Sequence, residues 1–390
     1  MLASATPAWT TALPPFGAAA IVTLLAVPLT MLLAHRLGAV AQPDTERHIH
    51  DRPTPRLGGI AMLLGFDVAL ALFGSAVSVR WQVIAVCTAI TVAMVVDDLL
   101  DLNARIKLLI EMAAGVAVAA SGILITFFAF PWTDGTHLVQ LAWLAVPITV
   151  VWVMGMQVSI NFLDGADGVA AGVVAIVALV CLAAAVNRLG VAFNVQSGVI
   201  VMSGALMGCC LGFLVFNLPP ARVFMGDSGS HFLGVALSVI TIVGVAKVAV
   251  GLSLLVPLIA LGLPISDTAF AIVRRRRAGV SPAQPDAGHL HHRLLAWGLS
   301  PMETALTFYL ATGILGCLGL ALFGHRRILD LALFLFVVAL SGIWWRSRRR
   351  VSPRSGGGGT GDGSGGGVVR VPGTPVAGAT SRQEHELERD

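Results

Sequence analysis

Carboxylates are scarce in this 390-residue chain, yet they gather in short groups at the ends of long apolar stretches. Asp97, Asp98 and Asp101 close one stretch, and Asn161, Asp164 and Asp167 follow another. Asn217 and Asp227 bracket a third junction; His289, His291, His292 and Arg293 form a fourth group. Arg56 belongs to a basic segment running from Arg47 to Gly59 that also carries His48 and His50. Adjacent carboxylates at the edge of an apolar layer are costly unless they are paired or bound to a cation. Such hard oxygen donors suit Mg²⁺, with Mn²⁺ as the alternative, because Mg²⁺ takes one or two carboxylates and completes its shell with phosphates and water. His and Arg donors opposite that cation suit a phosphorylated ligand. Gly165, Gly168, Gly226 and Gly229 would let backbone approach such a ligand closely. The five cysteines show no metal-ligand spacing, and the histidines lack a HExxH pattern, which argues against zinc. The residues therefore point to cation-dependent phosphoryl chemistry.

The elements that must position them follow from composition. Hydrophobic residues make up 56% of the chain and charged residues 12%, about half the charge of a typical soluble domain. That excludes a soluble globular protein, a disordered chain and a secreted disulfide scaffold. Eleven apolar runs are long enough to cross a bilayer as helices: 14–37, 57–79, 80–96, 106–129, 138–160, 168–186, 197–217, 229–246, 248–273, 303–323 and 327–345. Their length and lack of alternation exclude a transmembrane β-barrel, and lipid leaves the helix as the remaining choice. The fold class is an all-α polytopic transmembrane bundle of about 11 spans. It divides into a membrane domain, 1–345, and a Gly/Ser-rich flexible tail, 346–390.

With the N-terminus outside and the C-terminus cytoplasmic, every Lys and Arg except Arg80, Arg188, Lys247, Arg326 and Arg327 falls on the cytoplasmic side. That asymmetry is what the positive-inside rule demands. The first run has basic residues after it and none before it, as in an uncleaved anchor. The carboxylate and histidine groups all fall on the same cytoplasmic face, although charge alone set the orientation. Protein in the cytoplasmic membrane with a cytoplasm-facing site is the predicted location.

Plainer readings exist for each group taken alone. Asp97 and Asp98 could cap a helix end beside water, and Asn161 to Gly168 could be a simple turn. Gly226 to Ser230 could be an ordinary helix N-cap. Arg274 to Arg277 reads as a topology determinant. Asp67, inside a span, reads as a bundle hydrogen bond, and the cysteines as small buried side chains. His48 and His50 read as facing solvent. Gly204, Gly208 and Gly212, four residues apart, read as a helix-packing face. A secondary transporter would place its charges near the bilayer midplane in two related halves; here they sit at span ends. A membrane phosphatase would need an activated water in place of a lipid acceptor.

Five motifs occur in order along residues 14–345: Pro53-Thr54-Pro55-Arg56-Leu57-Gly58-Gly59, Asp97-Asp98-Leu99-Leu100-Asp101, Asn161 to Gly168, Phe224 to Ser230, and His289-Leu290-His291-His292. Together they resemble the polyprenyl-phosphate N-acetylhexosamine-1-phosphate transferase superfamily. The resemblance implies transfer of a sugar 1-phosphate from a UDP-sugar to undecaprenyl phosphate with release of UMP, an early membrane step of cell-envelope polysaccharide assembly. It implies Asp227, with Asn161, as Mg²⁺ ligands, and Asp97 and Asp98 as catalytic residues, Asp97 at the lipid phosphate and Asp98 supporting the metal region. Asp164, Asp167, Asn217 and Phe224 would line the nucleoside pocket. His289, His291 and His292, with Arg56 and Arg293, would hold the pyrophosphate. The His-Leu-His-His-Arg form and the span after it favour the UDP-GlcNAc branch over the branch that takes UDP-muramoyl-pentapeptide. The implied partners are the carrier lipid, the nucleotide sugar and the bilayer, with no nucleic acid and with homodimerisation left open.

Overall fold

A computed structural model describes residues 8–41, 53–129, 138–186, 193–245, 261–277 and 290–322, with positions 338 and 342. Helices dominate: α1 (Leu13–Leu37), α2 (Gly58–Phe73), α3 (Arg80–Leu100), α4 (Ala104–Ala120), α5 (Ala145–Leu163), α6 (Val169–Val186), α7 (Phe193–Asn217), α8 (Gly226–Val245), α9 (Gly262–Arg277), α10 (Leu290–Ala296) and α11 (Pro301–Leu322). Among the described residues, two short antiparallel pairs accompany them. β1 (Val40–Ala41) pairs with β2 (Thr54–Pro55), and β3 (Phe127–Ala129) pairs with β4 (Leu138–Gln140). Among the described residues, eight helical segments are long and apolar enough to cross a membrane. The chain is an all-α, multi-pass membrane protein.

Those eight segments match the first, second, third, fifth, sixth, seventh, eighth and tenth predicted runs. The fourth run comes out differently: α4 stops at Ala120, and the chain continues into the β3–β4 pair. Its first turns carry Arg105, Lys107 and Glu111, so only its far part is uniformly apolar. The third run is longer than predicted, because α3 continues to Leu100 and carries Asp97 and Asp98 in its last turn. The eighth begins earlier, at Gly226, which places Asp227 in the first turn of α8. Residue 246 of the eighth run, residues 248–260 of the ninth, the eleventh run apart from positions 338 and 342, the tail 346–390, His48, His50 and His289 lie outside the described residues.

α1 lies against α7 and α2, α6 against α7, and α8 against α3 and α5. The α1–α7 contact depends on small residues. A side chain at Gly204 or Gly212 would meet the carbonyl oxygens of Ala12 or Ala20 at 2.7 and 2.6 Å, and one at Gly208 would overlap that of Phe16. The glycine stripe is thus a helix-packing face, as the four-residue spacing predicts. Four cysteines are buried and Cys317 half-buried, all as free thiols. Asp67 accepts a hydrogen bond from Thr88 Oγ1 at 3.0 Å, joining α2 to α3. The single tyrosine, Tyr309 on α11, donates to the Gly168 carbonyl at 2.6 Å, fastening α11 to the start of α6.

Gly208→Leu is expected to lower the melting temperature in detergent, since overpacking a tight contact costs about 1–3 kcal/mol. Gly17→Ala on α1, where nothing lies within 4 Å of the added carbon, is expected to leave it unchanged.

Candidate functional site

Helix ends build the site. α3, α5 and α7 finish at the end of the bundle where α2, α4, α6 and α8 begin, so four inter-helix junctions meet there. The segment before α2 is stitched to the segment before α8 through backbone. Phe224 N–H donates to the Pro55 carbonyl at 2.8 Å, Gly58 N–H to Phe224 at 3.0 Å and Gly59 N–H to Met225 at 2.9 Å. The first-turn N–H groups of α2, which no helix can satisfy internally, thereby find partners. Gly226 has φ 72°, and a side chain there would strike the Arg56 carbonyl and the Asp98 carboxylate. The glycines of this motif, Gly226 and Gly229, let protein segments meet each other closely here.

Asp98 caps α8 from another helix. Its Oδ1 accepts from Asp227 N–H at 2.8 Å and its Oδ2 from Ser228 N–H at 3.1 Å. A carboxylate at a helix N-terminus meets unsatisfied N–H groups and the positive end of the macrodipole. Asp97, buried beside it, accepts from Leu102 N–H at 2.9 Å and turns its other oxygen outward from α3.

Lys107 occupies the centre. Its Nζ lies 2.7 Å from Asp97 Oδ2 and 2.8 Å from Asp227 Oδ2, bridging two carboxylates from different helices. α4 can deliver it because Asn103 caps the helix, its side chain accepting from Ile106 N–H at 3.0 Å. On the far side of Asp227, Asn161 Nδ2 donates to Asp227 Oδ1 at 2.9 Å and to Ser230 Oγ at 3.1 Å. Asp227 is therefore held at both oxygens.

The remaining predicted residues sort by position. Burial, and then the charges of Asp227, Asp98 and Asp167, push the Asp164 carboxyl well above the usual carboxylate range, with Arg56 pulling the other way. Those five groups thus share one electrostatic neighbourhood. Asp167 Oδ2 accepts from Ala221 N–H at 2.9 Å. Buried Asn217 accepts from Gly168 N–H at 3.0 Å and donates to the Val223 carbonyl at 2.8 Å, so it ties two loops together. Phe224 is half-buried, and Arg56 is exposed. Arg293 is also exposed, its guanidinium 5.7 Å from the centre of the Trp297 ring. His291 and His292 are the second and third residues of α10. The start of α10 is fastened by Asp267, whose Oδ1 accepts from Leu290 N–H at 3.0 Å.

Sequence reasoning missed Lys107, Arg275, Glu111 and His231. Lys107 and Glu111 were visible as charges inside an otherwise apolar run. His231 stands four residues after Asp227, one helical turn. Arg275 is buried, its guanidinium 5.4 Å from the centre of the Phe162 ring, beside Asn161. A pure topology determinant would not be buried there.

Residues 81–245 match the family described as glycosyl transferase family 4. A Bacillus subtilis protein, described as a probable undecaprenyl-phosphate N-acetylglucosaminyl 1-phosphate transferase, is 35% identical over 288 residues, covering 74% of this chain and 78% of that relative. A decaprenyl-phosphate N-acetylglucosaminephosphotransferase of Mycolicibacterium smegmatis is 34% identical over 322 residues, covering 76% and 78%. A phospho-N-acetylmuramoyl-pentapeptide-transferase of Desulforudis audaxviator is 32% identical over 340 residues, covering 78% and 96%. Helices that gather carboxylates at one end of a membrane bundle and these relatives define the same class, a membrane-embedded transferase. The chain belongs to glycosyl transferase family 4, the superfamily of polyprenyl-phosphate N-acetylhexosamine-1-phosphate transferases.

Asp98→Ala removes two hydrogen bonds to the start of α8 and is expected to cost about 1–2 kcal/mol, read as a lower melting temperature. Asp98→Asn keeps an acceptor oxygen and is expected to lose less.

Proposed function

We propose that the protein transfers a sugar 1-phosphate, N-acetylglucosamine 1-phosphate in the first instance, from a UDP-sugar to undecaprenyl phosphate. The products are undecaprenyl-diphosphate-sugar and UMP, at the cytoplasmic face of the cell membrane, as an early step of envelope polysaccharide assembly. One observation carries this reading: two carboxylates on different helices, Asp97 and Asp227, converge on a single cation, the Lys107 ammonium.

That gap fits a divalent cation. Its donors are hard carboxylate oxygens, they already surround a positive charge, and Asn161 lies against Asp227. Among the described residues no three His, Cys, Asp or Glu side chains form a metal-holding group. A small carboxylate set suits Mg²⁺, or Mn²⁺, completed by substrate phosphates. Asp227, with Asn161 beside it, would hold the ion. When bound, the ion supplies positive charge against the phosphoryl oxygens and so favours the displacement.

The chain's own residues do the rest. Asp97 orients the lipid phosphate and takes its remaining proton. Lys107, released from the carboxylates, neutralises diphosphate oxygens, and Arg275 and Arg56 add positive charge from the α9 and α2 sides. A lipid phosphate oxygen attacks the β-phosphorus of the nucleotide sugar. The bond from that phosphorus to the bridging oxygen breaks, and UMP leaves with the electron pair. Direct attack needs one displacement, and positioning with charge neutralisation supplies most of the acceleration.

An apolar groove of about 440 Å³ supports a lipid acceptor, lined by Leu144, Pro147, Val151, Trp152 and Met156 of the α5 segment and Ile265 of α9. It follows α5 for about 22 Å and reaches Ser159, two residues before Asn161. The phosphate-proximal isoprene units of the carrier would lie along this groove, with the phosphate at the carboxylates and the rest of the chain in the bilayer.

Membranes holding the protein, given Mg²⁺, UDP-GlcNAc and undecaprenyl phosphate, are expected to form lipid-linked sugar. UDP-muramoyl-pentapeptide as the sole productive donor would move the protein to the other branch. Asp227→Asn is expected to insert normally and lose turnover by about 10³-fold or more, whereas Cys209→Ser keeps it. Full activity in Asp227→Asn would remove the assignment.

A further inference from the structure

Below the carboxylate gap lies a second polar pair that the proposed chemistry does not use. His231 and Glu111 are both buried between α8 and α4. His231 Nε2 is 3.1 Å from Glu111 Oε1, and His231 Nδ1 is 2.8 Å from the backbone carbonyl of Asp227. A carbonyl oxygen only accepts, so Nδ1 carries its hydrogen. One further proton lies between Nε2 and the carboxyl oxygen, and with it on either atom the two groups are hydrogen-bonded. Ser230 Oγ stands 3.4 Å from Nδ1 and receives the Asn161 amide at 3.1 Å. Gln157 Nε2 donates to the Glu111 backbone carbonyl at 3.3 Å, bringing α5 to the same point.

The arrangement is a ladder. Lys107 and Glu111 stand four residues apart on α4, and Asp227 and His231 stand four apart on α8. The two helices run in the same direction away from the site, so their pairs stack at successive turns, about 6 Å apart. The first rung, Lys107 to Asp227, is half-exposed and bears the charges that meet substrate. The second, Glu111 to His231, is sealed from water. During turnover the first rung must open, because Lys107 cannot neutralise a diphosphate while held by both carboxylates. Opening it removes a direct tie between α4 and the start of α8.

We propose that the His231–Glu111 pair is a positioning device that keeps Asp227 in place while Lys107 is away. Neither residue touches the reacting atoms. His231 holds the Asp227 backbone through its carbonyl, and Glu111 fixes the ring from α4, as partners one shell out from a metal ligand orient that ligand. The proposal rests on the reading of Asp227 as a cation ligand in a transferase.

The test separates positioning from plain stability. Removing one member strands the other in the bilayer interior, whereas replacing both by apolar groups restores a satisfied core. Glu111→Leu/His231→Leu is therefore expected to melt close to wild type in detergent. Its Mn²⁺ affinity, measured by electron paramagnetic resonance without substrate, is expected to weaken about tenfold or more. Its kcat is expected to fall by a similar factor, with KM for UDP-GlcNAc within roughly threefold of wild type. Glu111→Gln, whose amide donates to Nε2 of a neutral ring, is expected to stay within roughly threefold of wild type in all three. A folded double variant with wild-type Mn²⁺ affinity and kcat overturns the proposal. Should the leucine pair not fold, His231→Gln carries the same expectation and the same overturning result. Wild-type protein that binds Mn²⁺ without transferring sugar phosphate would instead sink the functional reading and leave the positioning claim to the binding data.

Discussion

Two carboxylates facing each other at the edge of a bilayer need a cation between them, and much of this site follows from that requirement. Asp97 ends α3 and Asp227 begins α8; without positive charge their approach would be repulsive in a medium that screens poorly. Lys107 supplies the charge at 2.7 and 2.8 Å. To deliver it, α4 must start beside α3 and run parallel to α8, which is how a run with a polar beginning comes to stand among more uniformly apolar spans. The same gap can be filled by a divalent ion and phosphate oxygens, so the resting structure holds the charge balance that the reaction reuses.

Packing serves this gap from every side. Asp98 fastens the start of α8 to α3, and Asn161 fastens Asp227 to α5. Backbone bonds between the segments before α2 and α8 close the remaining side. Small residues make such closeness feasible: a side chain at Gly59 would overlap the Gly229 backbone, and one at Gly226 the Asp98 carboxylate. Elsewhere in the bundle, α1 and α7 approach through the glycine stripe.

Much of this was legible in the sequence. Composition and run length showed a helical membrane protein, and the grouping of Asp97, Asp98, Asn161 and Asp227 at run ends anticipated that they would meet. Interior roles were legible for Asp67 and the Gly204 stripe, where one residue type and one spacing suffice. Lys107, Glu111 and His231 were not, because their meaning lies in pairing between α4 and α8, distant in sequence. Arg275 was hidden among four consecutive arginines whose charge alone explains topology; only burial against Phe162 sets it apart. Span ends shifted by a few residues for a related reason. Asp97, Asp98 and Asp227 look like loop residues by hydropathy, yet their hydrogen bonds allow helix to continue through them.

Anomalous scattering from crystals of the protein grown with Mn²⁺ would locate the ion relative to Asp97, Asp227 and Lys107. The peak is expected between Asp97 and Asp227, about 2–2.5 Å from an Asp227 oxygen, with the Lys107 ammonium withdrawn from at least one carboxylate. A peak elsewhere, or Lys107 still bridging both carboxylates with Mn²⁺ bound, would contradict that arrangement.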